Sequence, residues 1–286
     1  MDPISIIGAI CTVVGTAIAI IEFSRRSGRK KKKSKSLLID RIHDGKVFTV
    51  GVTNFPPFTA FERGDEDNFE CIYISLLREI AESTNVEIEF VALRASQMFP
   101  KLEEGEVDAV VSLLESADRA RQGVFALRRF AVSVVGISIA KGENRWDASK
   151  LRESGTRIAV VAGEIGHQVA ISQYQATSDN GRLIVLDTDD VPSIVSQVKS
   201  GAADVALTVG PRWIQHIVAT ESTDQFNGEI RVEPLLYLPC GLVLLPQDEA
   251  VATWLDTEAA RIADHYRFEQ ETNQIELAYE DHIRRL

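Results

Sequence analysis

The residue best placed to do chemistry is Arg119. It closes the turn Ser116-Ala117-Asp118-Arg119, directly behind a buried run, Asp108-Ala109-Val110-Val111-Ser112-Leu113-Leu114. An arginine at the end of a buried strand offers a planar fork of donors, suited to a carboxylate or another oxyanion. The segment leading into that strand occurs twice. Leu102-Glu103-Glu104-Gly105-Glu106-Val107-Asp108-Ala109-Val110 matches Val198-Lys199-Ser200-Gly201-Ala202-Ala203-Asp204-Val205-Ala206. Each copy reads as a helix closed by a glycine, a polar link and a strand covered on both faces. Two α/β lobes of similar plan, one presenting an arginine, predict a cleft that closes on an anionic small molecule.

The elements that must position this arginine follow from the hydrophobic pattern. Residues 46–53 predict a first strand, ending in the double proline of Phe55-Pro56-Pro57-Phe58, which forbids helix and extends the chain. Apolar residues at Ile72, Leu76, Leu77 and Ile80 keep helical spacing over 72–85. Residues 86–92 alternate as a strand, 96–104 form a helix, and 108–113 form the buried strand. This β-α-β-α-β order implies a parallel sheet with right-handed crossovers. Residues 131–140 predict a long strand passing to a second lobe. There, a strand at 157–161 leads to Gly163-Glu164-Ile165-Gly166, followed by a helix, strand 183–186, helix 189–200 and strand 204–209. Residues 235–245 would cross back, with closing helices at 247–268 and 270–284. Ligands of open α/β sheets collect at the carboxyl ends of strands. Phe55 and the turns at 112–119, 163–167 and 208–212 all fall there.

The order of these motifs resembles the bacterial extracellular solute-binding proteins of amino-acid transport, over about residues 46–275. That resemblance implies a two-lobed type II periplasmic-binding fold, with parallel or mixed sheets, flanking helices and two hinge crossings. It also implies that Arg119 forks onto a ligand α-carboxylate, that Phe55 covers the ligand, and that Ser112, Leu114, Ser116, Gly163, Glu164 and Val209 line the site. The bland readings stay open: an ion pair of Arg119 with Asp118 or Glu115, and an ordinary core phenylalanine. Three positions depart from the family pattern. Leu114 stands where a small hydroxyl is usual, Val209 where a carboxylate would receive an α-ammonium, and Glu164 where a threonine follows the turn glycine. A buried ammonium left unpaired is costly, so Val209 argues against a standard amino acid. Glu164 either restores the negative charge, locks onto Arg119, or points to solvent.

The ends of the chain carry a separate signal. Residues 4–21 are uncharged over 18 positions, long enough to cross a bilayer. Residues 1–36 hold eight Lys/Arg, all after this stretch, against Asp2 and Glu22. A secretory signal would carry its positive charge in front. Charge behind the stretch predicts an uncleaved anchor with its domain in the cytoplasm; an exported domain is the alternative. Gly8, Thr12, Gly15 and Ala19 share one helical face and would allow two anchors to associate. The expected divisions are an anchor (1–23), a basic linker (24–45), the first part of lobe 1 (46–132), lobe 2 (133–237) and a return segment (238–286).

Other function classes find little support. The remaining 250 residues hold 23 Lys/Arg against 40 Asp/Glu, a poor surface for phosphate backbones, so no nucleic-acid partner is expected. Cys11, Cys71 and Cys240 lack zinc spacing, and the five histidines form no metal set. No phosphate loop, HExxH or nucleophile elbow is present. No catalytic residue, metal or cofactor is therefore assigned. Glu164 and His167 could form an acid–base pair, and the same fold hosts a few dehydratases of prephenate-like acids, so an enzyme stays a minor alternative. The expected function is a membrane-anchored, ligand-sensing domain for a small carboxylate-bearing molecule. A transport-associated periplasmic binding protein and a degenerate scaffold are the other readings.

Overall fold

The buried runs after Asp108 and Asp204 become the central strands of two lobes. In the computed structural model of the chain, the described residues are 37–263 apart from 56–58, 63–64, 71, 141–142, 144, 154, 189–190 and 211–229. The described residues from 38 onward form one compact unit. Lobe 1 begins with helix α1 (Leu38–His43) and strand β1 (Phe48–Val52). A hairpin follows, β2 (Ala60–Glu62) and β3 (Asp65–Glu70), then α2 (Ile72–Thr84) and β4 (Ile88–Ala92). A 3-10 turn (Ala95–Gln97), α3 (Met98–Glu104) and β5 (Ala109–Leu114) complete the unit. The one-turn helix α4 (Arg119–Gln122) leads into β6 (Val124–Ala140). Lobe 2 contains β7 (Ile158–Val161), α5 (Ile165–Tyr174), β8 (Leu183–Leu186), α6 (Val191–Lys199) and β9 (Val205–Val209). Strand β10 (Ile230–Leu244) returns to lobe 1, where α7 (Glu249–Ala263) packs against the sheet.

Local chemistry explains these elements. Every residue of β5, β7 and β9 is buried, as strands covered by helices on both faces must be. Helix α2 buries Ile72, Tyr73, Ile74, Leu76, Leu77 and Ile80, and α3 stops at Gly105, whose φ of 74° is the left-handed closing turn. The two repeat aspartates have matching structural tasks. Asp108 accepts from the Thr49 backbone N–H at 3.1 Å while its own N–H bonds Thr49 O at 2.8 Å. Asp204 accepts from Arg157 N–H at 2.8 Å while its N–H bonds Arg157 O at 2.9 Å. Each therefore fastens the first strand of its lobe to the last, and each has a cationic neighbour, Lys46 or Arg157.

The sheet order is β4-β1-β5-β10-β6-β9-β7-β8. Separate sheets were expected; the hydrogen-bonded ladder is continuous because β6 and β10 pair antiparallel with each other along their length. The lobe boundaries drawn at 132/133 and 237/238 thus fall inside shared strands. The pairing shifts register at two places: Leu235 stands unmatched between the pairs Pro234–Gly136 and Leu236–Val135, and at the second Ala126 faces Leu242 and Ala131 faces Cys240, so residues 127–130 lie opposite Gly241 alone. Leu127 there has φ of 60°, unusual outside glycine. Tyr73 Oη donates to Cys240 O at 2.6 Å and to Leu127 O at 3.3 Å, and Asp256 of α7 accepts from Leu127 N–H at 2.7 Å. Lobe 1 helices thus grip both crossing strands at the second of these irregularities.

The linker assigned to 24–45 ends earlier than expected. Leu38 and Ile42 are buried, and His43 meets Trp254 of α7 edge-on, so α1 belongs to the folded unit. Its single turn and a half is too short for a periodicity signal. No described helix is long and apolar enough to cross a membrane. The expected anchor, its Gly8/Thr12/Gly15/Ala19 face and the helix at 270–284 lie outside the described residues.

Candidate functional site

The turns at the carboxyl ends of β5 and β7 meet across the two lobes, with Arg119 between them. Arg119 is 2% exposed. One terminal nitrogen donates to Leu114 O of its own lobe at 3.0 Å; the other donates to Gly163 O of the opposite lobe at 2.8 Å. Its Nε is buried without a partner. The competing ion pairs do not form: Asp118 pairs with Arg121, and Glu115 with Arg128. Among the described residues no carboxylate lies within ion-pair distance of Arg119. Burial draws its pKa down to about 10, opposed by the Glu164 carboxylate, so the guanidinium stays protonated at neutral pH.

Contacts around it join the lobes. Ser116 Oγ accepts from Arg119 N–H and donates to Gln168 Oε1, both at 3.2 Å. Ser96 Oγ donates to Asp187 at 2.7 Å, with Arg94 3.6 Å from the same carboxylate. Gly163, at φ 78°, approaches so closely that a Cβ would lie 2.4 Å from Ala95 O. A side chain there would push the lobes apart.

Glu164 caps the amino end of α5 with extended backbone. It is half-buried, and its Oε2 is shielded from solvent without a partner. Burial raises its pKa to about 7, against the pull of a hydrogen bond from the Val209 backbone and of the Arg119 charge. This carboxylate makes no ion pair with Arg119, and its Oε2 does not face solvent. His167 is half-buried and its pKa is lowered by burial. Val209, at the end of β9, is 8% exposed and apolar. Ser112 is buried at φ 64°, in a bulge of β5, with Oγ unpartnered. Phe55 packs in the main core and bridges Thr59.

Sequence reasoning missed Gln168, Asp187 and the Ala95–Ser96 turn as lobe contacts. Gln168 was accessible: it lies four residues after Glu164 and so shares its helical face. Asp187 carried no local signal. Among the described residues no group of His, Cys, Asp and Glu could hold a metal ion. A groove of about 840 Å³ lined by Ile42, His43, Glu82 and Glu87, among others, is bordered by none of the residues that join the lobes.

Comparisons with known proteins agree with this architecture. The chain is 26% identical over 179 residues to a probable histidine-binding protein of Neisseria gonorrhoeae, covering 62% of this chain and 63% of that relative, less than two thirds of its length. A substrate-binding protein of an ABC uptake transporter from Streptococcus pneumoniae, solved with bound histidine, superposes with a TM-score of 0.69 at 11% identity, covering 86% and 97% of the two chains. A histidine kinase sensor domain with similarity to periplasmic binding proteins gives 0.65 at 18% identity, covering 83% and 97%. These two likenesses establish the fold. The profile of the bacterial extracellular solute-binding proteins, family 3, matches residues 48–270. With that match spanning most of its length, the chain belongs to the bacterial extracellular solute-binding proteins, family 3.

Proposed function

We propose that the domain binds a small carboxylate-bearing solute reversibly between its lobes, with Arg119 as the carboxylate's partner. The observation that carries this reading is a buried guanidinium with no anionic partner among the described residues and an unbonded Nε. Burying a charge without a counter-charge is expensive, and a bidentate carboxylate is its best-matched complement. Arg119 already touches both lobes through Leu114 O and Gly163 O, so a solute held on it links binding to hinge closure. Ser112, Ser116, Gly163, Glu164 and Val209 would form the surrounding wall, with Phe55 behind it. Binding of histidine by relatives supports an amino-acid-like solute.

In this reading the apolar stretch at 4–21 tethers the domain to a membrane, and the basic run behind it holds the domain in the cytoplasm as a sensor. Kinship of fold with a kinase sensor domain supports a signalling role. The second reading, a transport-associated domain outside the cytoplasm, is favoured by the family's extracellular members. Reporters fused after Leu286 separate them: activity of a cytoplasm-specific reporter supports the first, and activity of an export-specific one supports the second.

The binding claim is tested by screening thermal stability of the full-length protein against amino acids, dicarboxylates, nucleotides and small peptides. A ligand at a hundred times its dissociation constant should add about 2.7 kcal/mol. Stabilisation that disappears in Arg119→Ala is the expected result. No stabilisation by any class would instead favour an interaction scaffold, and stabilisation indifferent to Arg119 would remove Arg119 from the site.

A further inference from the structure

We propose that the turn Arg94-Ala95-Ser96 and Asp187 form a latch at the outer rim of the cleft, one that closes the lobes by protein contacts alone and opens to admit a solute. It stands apart from the carboxylate reading, because its residues are not among the hydrogen-bond partners of Arg119. Strand β4 is one edge of the ladder and β8 the other, while the crossing strands β6 and β10 are its middle. The turns after the two edge strands nonetheless meet. Ser96 Oγ donates to Asp187 Oδ1 at 2.7 Å, and Arg94 Nη1 lies 3.6 Å from Asp187 Oδ2. Each edge strand is three strand spacings, about 14 Å, from the crossing strand that its lobe shares. Rotation about the crossing strands separates these turns more than any pair nearer the hinge, so a contact here has the greatest leverage over opening.

Both halves are held in place by their own lobes. Leu93 N–H bonds Val52 O at 2.7 Å and Arg94 N–H bonds Gln97 Oε1 at 2.9 Å, which fixes the turn on lobe 1. Ala162 N–H bonds Leu186 O at 2.8 Å, which fixes Asp187 beside the Gly163 turn of lobe 2. Such preorganisation lowers the entropy lost when Ser96 and Asp187 join. The strength is that of a reversible contact. The side chains of Arg94 and Asp187 keep 51% and 59% of their exposure, so their ion pair contributes little and is screened by salt. A hydrogen bond to a charged acceptor contributes more. Together they favour closure by a factor on the order of threefold to tenfold, small enough for thermal opening.

The test is single-molecule energy transfer on the full-length protein with no solute added, using dyes attached site-specifically at the exposed Glu103 of lobe 1 and Ser200 of lobe 2. The wild type should populate a closed state in exchange with an open one. Asp187→Ala should lower the closed-to-open ratio roughly threefold to tenfold, because it removes both contacts. Ser96→Ala should lower the ratio less, and the double variant should match Asp187→Ala, since the two side chains act on each other. Added salt should lower the ratio more in the wild type than in Asp187→Ala. An unchanged ratio in Asp187→Ala, additive effects of the two substitutions, or a wild type found only open would overturn the latch. Each of those results would leave the carboxylate site standing, because no solute takes part in the measurement. Failure of Arg119-dependent binding would, conversely, leave the latch standing.

Discussion

Replacing Glu164 by glutamine should stabilise the protein, and the gain should depend on pH. Burial raises the pKa of this carboxyl from its usual 4.5 to about 7. A carboxyl whose folded-state value is raised holds its proton more tightly in the folded protein. Its stabilising contribution is therefore complete below pH 4.5 and is lost as pH rises through 7. At roughly 1.4 kcal/mol per pH unit, the interval corresponds to about 3 kcal/mol above pH 8. Glutamine keeps the shape and cannot ionise, so it escapes this loss. It also withdraws a charge that favours the Arg119 cation, which makes 3 kcal/mol an upper figure. His167 titrates in both proteins and largely cancels in the difference. The assay is urea denaturation of the dialysed wild type and Glu164→Gln in steps from pH 4.5 to 8.5. The two should coincide near pH 4.5 and diverge in favour of glutamine by up to about 3 kcal/mol, or roughly 6–12 °C in Tm for a domain of this size. A difference constant across the range, or a less stable glutamine variant at pH 8, would refute the reasoning. It would mean that the carboxylate is a satisfied anion in the folded state.

Further outcomes follow from the lobe contacts. Gly163→Ala puts a methyl about 2.4 Å from Ala95 O at a φ of 78°, so small-angle scattering should show a larger radius of gyration and titration a weaker affinity; unchanged values would mean that the lobes do not meet there. Tyr73→Phe leaves the Cys240 carbonyl buried without its 2.6 Å donor and should cost about 1–3 kcal/mol in denaturant unfolding. A loss below 0.5 kcal/mol, itself a rough bound set by typical surface changes, would remove the hydroxyl from the account of the crossing strands. Asp108→Ala and Asp204→Ala should each cost about 1–3 kcal/mol, because each frees a strand-starting N–H from its acceptor. A large cost at one site and none at the other would contradict their equivalence.

Much of this arrangement was legible in the sequence. The Gly105/Asp108 and Gly201/Asp204 repeats announced two lobes because a helix-closing glycine and an apolar strand are local signals. Arg119 stood out because a buried-strand pattern ran straight into it. What could not be read were properties set by distant partners. The joining of two expected sheets into one ladder depends on β6 pairing with β10, some hundred residues apart on the chain. Whether Arg119 would pair with Asp118 or Glu115 was decided by Arg121 and Arg128, which take those carboxylates. The surroundings of Glu164 follow from the turn of β7 packing beside β9, which no spacing within residues 163–167 encodes. Helix α1 escaped notice because six residues carry too little periodicity, and its burial depends on α7.

The most direct test of the central claim is a crystal structure of the protein with the solute that stabilises it most. The account predicts the solute's carboxylate on Arg119, engaging Nε and a terminal nitrogen, between the 112–119 turn and the 163–168 turn. A solute bound elsewhere, with Arg119 still donating to Leu114 O and Gly163 O, would contradict it.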